Sequence, residues 1–281
     1  MEVGQVDNIK IGAIIQARYS SVRLPGKVLL PLPLASGKPI IEHILTTLKR
    51  NELVNETIIA TSHSTANDPI RNLADRVNVK CFSGDENDVI SRFISILEEY
   101  KFSICIRLTG DNPLVDNNKL NEALNYFITE DLDYLYTCGL PLGMNFEIFK
   151  SQALLSCKEF ELTDSDKEHV TLFLRESGKF KSGIINFTTS NKISNLRCTI
   201  DYASDFAFLN LLMSLINYSS DDLLDEITKV VSQYQWISEI NSDNFQKNQG
   251  LNTIEEINLA TKILAKYELK KAIIALENCK L

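Results

Sequence analysis

The chain has 281 residues, 44% of them apolar, with a formal net charge of −8. That length and apolar content are enough for one large α/β domain or two small ones with a substantial core. The acidic balance excludes a general nucleic-acid binder, whose phosphate contacts need a basic surface. The opening MEVGQVDNIK has no apolar core of signal-peptide length, and no later run reaches the roughly 18 apolar residues of a membrane span. A cytoplasmic protein is expected, with neither nucleic acid nor membrane as partner. Cys81, Cys105, Cys138, Cys157, Cys198 and Cys279 lie far apart with no C-x-x-C pair, so reduced, mostly buried thiols are expected. The histidines His43, His63 and His169 have no metal-ligand spacing to a cysteine.

Residues 9–16 read as a first parallel strand, apolar almost throughout, as when helices cover both faces of a sheet. Directly behind it, the run IGAIIQARYSSVRLPGK (11–27) places Arg18, Arg23 and Lys27 on one short loop. Three cations so close together call for an anion. Ser20, Ser21 and Gly26 are expected to leave backbone N–H groups open to phosphate oxygens, and Pro25 fixes the chain before the glycine. The pattern G-x-x-x-x-G-K-[ST] of a Walker A loop is absent.

Gly37 and Pro39 open a helix to about residue 50, with Ile40, Ile41, Ile44, Leu45 and Leu48 on one stripe and His43 as a packed or capping residue. A second strand spans 56–62, and Asp68-Pro69 starts a helix to about 77. A short strand at 79–82 precedes SGDENDVISRFISILEEY, which turns and continues as an amphipathic helix. A fourth strand, 103–109, runs into RLTGDNPLVD (107–116), with Asp111 at its carboxyl end, where open α/β sheets bind ligands. Strands alternating with helices predict an α/β fold with a doubly wound, mostly parallel sheet.

From Leu132 the pattern changes to a smaller acceptor-side subregion. Strand-like stretches fall at 134–138, 145–149, 182–187 and 196–200, and helical stripes at 151–160, 168–176, 203–216 and 222–234. A polar linker at 241–250 leads into a final amphipathic helix, 253 to about 276, whose Ile257, Leu259, Ile263, Leu264 and Leu269 read as packing residues. One domain at 9–240 followed by a C-terminal linker and helix at 241–281 is the expected organisation.

The loop A-R-Y-S-S-V-R-L-P-G-K resembles the opening loop of the cytidylyltransferases that make CMP-activated sugar acids, above all the SpsF-type branch of spore coat polysaccharide biosynthesis. The resemblance spans roughly residues 9–240. It implies a Rossmann-like nucleotide-diphospho-sugar transferase fold. It also implies Mg²⁺-dependent transfer of CMP from CTP to a small-molecule acceptor, a sugar acid or related surface-polysaccharide precursor, with release of pyrophosphate. In those relatives the loop wraps the triphosphate, which puts Arg18, Ser21, Arg23 and Lys27 on phosphate, beside Ala17, Ser20, Thr109 and Gly110. The matching Mg²⁺ pair is Asp111 and Asp201, the latter from LRCTIDYASDF, where Asp205 matches a second acid that equally reads as a helix cap. Arg18, Lys27, Asp111 and Asp201 are thus the implied catalytic set.

Thr61, Ser83, Gly84, Asp88 and Arg92 match the segments around the cytosine in relatives, and Arg71 reads as an exposed helical arginine. Glu147, Glu168, His169 and Arg197 match acceptor-facing segments. The branch usually carries R-G-[LM]-D-[VA]-E where this chain has Leu142-Gly143-Met144-Asn145-Phe146-Glu147, so the acceptor does not transfer from the resemblance. A homodimer is the expected assembly. The competing readings are a nucleotide-sugar glycosyltransferase of similar fold and an inactive nucleotide-binding protein.

Overall fold

The structure is a computed structural model and describes residues 9–244 and 253–278. Part of the expected linker and Cys279 lie outside the described residues. Among the described residues seven strands form one sheet: β1 (Ile11–Gln16), β2 (Glu56–Ser62), β3 (Lys80–Gly84), β4 (Ile104–Thr109), β5 (Tyr134–Cys138), β6 (Glu147–Lys150) and β7 (Ser182–Asn186). Their order is β3-β2-β1-β4-β6-β5-β7. β6 runs antiparallel to β4 and β5, and every other pairing is parallel.

Parallel neighbours need long crossovers, and helices supply them. α1 (Ile40–Arg50), α2 (Asp68–Arg76), α3 (Val89–Tyr100) and α4 (Asn117–Thr129) carry the chain from each strand to the next up to β5. The apolar stripe read on α1 is buried in full. Alternation along β1 divides the core between the two faces. Ala13 and Ile15 join Ile41, Ile44, Leu124 and Phe208 on one side, while Ile14 joins Phe93, Leu97, Phe149 and Leu154 on the other. β2 and β4 flank β1 on opposite sides, so the sheet's topological switch lies at the carboxyl ends of β1 and β4.

The remaining helices are α5 (Ser151–Ser156), α6 (Asp164–His169), α7 (Leu172–Glu176), α8 (Asn191–Ser194), α9 (Ala203–Leu215), α10 (Leu223–Gln233), α11 (Thr253–Lys266) and α12 (Lys270–Asn278). None of the helices among the described residues is long and apolar enough to cross a membrane.

Several expectations are corrected. α4 was not anticipated, although Asp116 caps it by accepting from the Lys119 N–H at 2.9 Å and Leu120, Ala123, Leu124 and Phe127 form its buried stripe. Residues 196–200 do not form a strand. They bridge the sheet region only at Leu142, because the Ile200 N–H turns away to the Asp111 carbonyl at 3.0 Å. The helix expected over 168–176 is broken at Val170, and the final helix is two, hinged where Glu268 takes φ 56°. Of the C-terminal apolar residues, Ile257, Leu259, Ile263 and Leu264 are half-buried and Leu269 is exposed. His43 is packed: its Nε2 meets the Leu32 carbonyl and its ring stands edge-on to Tyr218. Burial, with nearby Lys38, pushes its pKa down to about 4.

Gly12 lies where only hydrogen fits, since a Cβ there would stand 2.2 Å from the Phe102 ring. Gly12→Ala is expected to cost about 1–3 kcal/mol by overpacking. Urea unfolding checks this as a lower midpoint at unchanged slope, and a wild-type midpoint would mean that Phe102 moves aside freely.

Candidate active site

The loop after β1 is held from behind before it reaches forward. The Ala17 N–H donates to the Ala60 carbonyl at 3.0 Å, and the Tyr19 N–H donates to Asn67 Oδ1 at 2.8 Å, with Asn67 fixed on Ser62. The loop closes on itself where the Gly26 N–H donates to the Tyr19 carbonyl at 2.9 Å. That N–H is therefore not open to phosphate. Gly26 serves the turn instead, with φ 70° and the Tyr19 ring packed where a side chain would begin. The turn delivers Lys27, almost wholly buried, to the mouth of the sheet.

Lys27 Nζ donates to Asp111 Oδ2 at 2.6 Å and to Asp201 Oδ1 at 2.9 Å. Arg23 adds an ion pair to Asp201 Oδ1 at 2.7 Å and lies over the Tyr202 ring. Asp111 and Asp201 are ninety residues apart in sequence, and the Ile200–Asp111 backbone bond is what brings them together. Two hard oxygen donors thus converge on the Lys27 ammonium. Among the described residues no cluster of three or more acidic, histidine or cysteine ligands exists. Mg²⁺ does not need one, because it commonly takes one or two carboxylates and completes its shell with substrate phosphates and water. The donor set fits.

This centre lies in a cleft of about 1320 Å³. Ala17, Arg18, Ser20, Ser21, Arg23 and Lys27 line one wall, and Thr109, Gly110 and Asp111 the base. Asp88, Arg92, Glu168 and Asp201 also face it. Asp88 doubles as the cap of α3, accepting from the Ser91 N–H at 3.0 Å. Arg92 is 4% exposed, and its Nε has no hydrogen-bond partner among the described residues. Burial and neighbouring Arg18 together push its guanidinium below the ordinary pKa. The cost of a buried guanidinium with an unbonded Nε beside a second arginine is only partly offset by the acidic Asp85, Glu86 and Asp88 near it.

Thr61, Ser83 and Gly84 stand behind this wall and do not line it. Thr61 Oγ1 is buried and unpaired among the described residues. Ser83 accepts from Arg71 at 3.3 Å, and Gly84 lies directly under the Arg92 side chain. Arg71 is no free surface arginine: it also donates to the carbonyls of Ser62 at 3.0 Å and Ser64 at 2.9 Å, tying the end of β2 to α2.

The four expected acceptor residues separate. Glu168 faces the cleft, joined by Asp164 and Lys167 of α6, which the sequence reading missed. Glu147, His169 and Arg197 do not line it. Glu147 is occupied: Arg107 pairs with it, and the hydroxyls of Tyr134 and Thr171 each donate to its Oε1 at 2.7 Å. Burial alone would raise its pKa, yet Arg107 and these donors outweigh burial and hold it below the ordinary carboxylate value. Arg107 in turn donates to Gln16 Oε1 at 3.3 Å, so the buried pair props the end of β1 beside the cleft.

His169 ends α6. Val170 then takes φ 51°, ψ −58°, and the Thr171 N–H closes on the His169 carbonyl at 2.5 Å. This is a γ-turn with a fully buried β-branched residue at its centre, a strained conformation. The bond from Thr171 to Glu147 and the burial of Val170 hold it. Arg197 is buried against Asp205, with Nε to Oδ1 at 3.0 Å.

A mostly parallel sheet with a basic loop and two aspartates at its switch point is the architecture of a Rossmann-like nucleotide-binding fold. Residues 12–241 match the cytidylyltransferase family model, and the chain belongs to that family. It is 32% identical over 244 residues to an uncharacterized protein of Methanocaldococcus jannaschii, covering 85% of this chain and 98% of that one. It is 28% identical over 226 residues to the spore coat polysaccharide biosynthesis protein SpsF of Bacillus subtilis, covering 78% and 93%. A solved cytidylyltransferase from Leptospira borgpetersenii superposes with a TM-score of 0.73 at 26% identity, covering 87% of this chain and 99% of that one.

The Glu147–Arg107 pair yields a stability prediction. A carboxylate whose pKa is depressed by folding contributes stability above its unfolded pKa, about 4.3, and loses it as pH falls through the folded value. Glu147→Gln leaves the Arg107 charge uncompensated and is expected to cost roughly 3–5 kcal/mol at pH 7. The gap should narrow in urea unfolding below about pH 4. A gap that stays constant with pH contradicts the pairing.

Proposed function

We propose that the chain transfers CMP from CTP to a hydroxyl of a sugar acid or related surface-polysaccharide precursor, releasing pyrophosphate. The observation that carries this reading is the convergence of Arg18, Arg23, Lys27 and Arg92 on the cleft that also holds Asp111 and Asp201. Guanidinium forks match phosphate oxygens, and Arg18 and Arg92 have no ion pair among the described residues.

The acceptor oxygen forms its new bond to the α-phosphorus while the bond from that phosphorus to the α–β bridging oxygen breaks. Pyrophosphate leaves and the hydroxyl proton is released. Arg18, Arg23 and Lys27 bind the triphosphate and hold charge that grows on the departing pyrophosphate. Asp111 and Asp201 would hold Mg²⁺, which when bound neutralises phosphate charge and orients it. Lys27, paired with both carboxylates, lies where it would reach phosphate oxygens. Asp164, Lys167 and Glu168 present one cation and two acceptors toward the acceptor end, a set suited to a polyhydroxylated acid. The likeness to a polysaccharide biosynthesis protein supports the acceptor class.

Assays of CTP and Mg²⁺ with a panel of acceptor sugars should identify an acceptor by pyrophosphate release. A nucleoside diphosphate product from a nucleotide-sugar donor would contradict the reading. With the working acceptor, Lys27→Ala should lower kcat by about 10²–10³ with the fold intact. Asp111→Asn and Asp201→Asn should each nearly abolish turnover, and the double variant should be little worse, because two ligands of one ion act as a unit.

A further inference from the structure

Asp205 matches a second acid of the family's metal segment, yet its carboxylate is completely buried and both oxygens are filled. Oδ1 accepts from Arg197 Nε at 3.0 Å, Asn241 Nδ2 at 3.0 Å and Asn244 Nδ2 at 2.8 Å. Oδ2 accepts from Arg197 Nη2 at 3.1 Å and from the backbone N–H groups of Asp201 and Tyr202, both at 3.0 Å. A carboxylate offers about four lone-pair sites, so six donors leave none for a metal ion. Two of these bonds fall on the backbone of Asp201 and Tyr202, two on Arg197, and two on Asn241 and Asn244.

The backbone N–H of Asp201 is fixed directly. Its side chain is fixed through Arg197, whose Nη2 also reaches Asp201 Oδ2 at 3.4 Å. That leaves Oδ1, the oxygen facing Lys27 and Arg23, directed into the cleft. The outer partners come from beyond α10. Asn241 Nδ2 also donates to the Arg197 carbonyl at 3.0 Å, and Asn244, which lies past the residues matched to the family, pairs with Ser204. Between them, Asp243 is held by Lys266 of α11 at 2.6 Å.

We propose that Asp205 and Arg197 are positioning residues that aim the Asp201 carboxylate at the metal, and that Asn241 and Asn244 couple the C-terminal extension of this chain to that aim. The inference rests on the assignment of Asp201 as a metal ligand under Proposed function. Outer partners that orient a ligating carboxylate commonly govern metal affinity by 10–100-fold, without touching metal or substrate. The C-terminal segment then acts on the active site through four side chains and does more than cover the core.

The test is Mn²⁺ binding to the full chain with CTP present, followed by water-proton relaxation, alongside thermal unfolding of each variant. Arg197→Lys keeps the charge but loses the fork that spans Asp205 and Asp201. It is expected to weaken Mn²⁺ binding about tenfold or more while CTP alone binds as in the wild type. Asn244→Ala removes a donor that touches neither Asp201 nor the cleft, so it guards against a misfolded Arg197 variant; it should weaken Mn²⁺ binding in the same direction, by a smaller factor. Folded variants with lower melting temperatures and wild-type Mn²⁺ affinity would overturn the inference and leave the metal assignment standing. Wild-type binding that Asp201→Asn does not weaken would overturn the metal assignment itself, and this inference with it.

Discussion

Lys27 between Asp111 and Asp201 is the contact on which the arrangement of the cleft depends. A nearly buried ammonium with two carboxylates at 2.6 and 2.9 Å joins the loop after β1, the end of β4 and the segment entering α9. Taking charges out of water is unfavourable unless each is compensated, so this contact draws the three segments to one point of the cleft. The same three groups carry the proposed chemistry. Lys27 and Arg23 together balance the two aspartates, so neither carboxylate is left uncompensated at this centre.

Around that centre a set of buried polar pairs does the placing. Arg107 and Glu147 cross from β4 to β6 and reach Gln16 at the end of β1. Thr171 meets the same glutamate, which anchors the strained turn at Val170 and so sets where α6 offers Asp164, Lys167 and Glu168. Asp205 and Arg197 do the corresponding work under Asp201. Each carboxylate of these pairs is fully engaged, and each pair sits just behind a residue that faces the cleft. Buried charges of this kind add little net stability over apolar packing, but breaking one of them is costly, which suits parts whose task is placement.

The strand–helix alternation up to β4 is legible because its apolar runs have clear periods and its turns have clear punctuation. The loop motif and Asp111 stand out because charge at the carboxyl end of a buried strand has few structural uses, whereas Asp201, which follows no strand, is marked only by the resemblance of its segment. What pattern reading cannot show is which polar group is already taken. Glu147 and Arg197 look like acceptor residues in sequence because they are charged and sit in matching segments, yet their partners Arg107 and Asp205 are chosen by tertiary packing. Gly26 looks open to phosphate until the Tyr19 carbonyl claims its N–H. The break at Val170 is unmarked in sequence, with no glycine or proline there, and it coincides with the Thr171 hydroxyl donating to Glu147. α4 is the opposite case: its Asp116 cap and its Leu120, Ala123, Leu124 and Phe127 stripe are both present in the sequence.

The central claim is that the cleft is built for a cytidine triphosphate held with a divalent ion. Thermal unfolding of the full chain in Mg²⁺ with CTP, UTP or ATP tests it without knowledge of the acceptor, because a ligand that binds only the folded state raises the transition by mass action. The account predicts the largest rise with CTP. Equal stabilisation by ATP and CTP, or none by CTP, would contradict it.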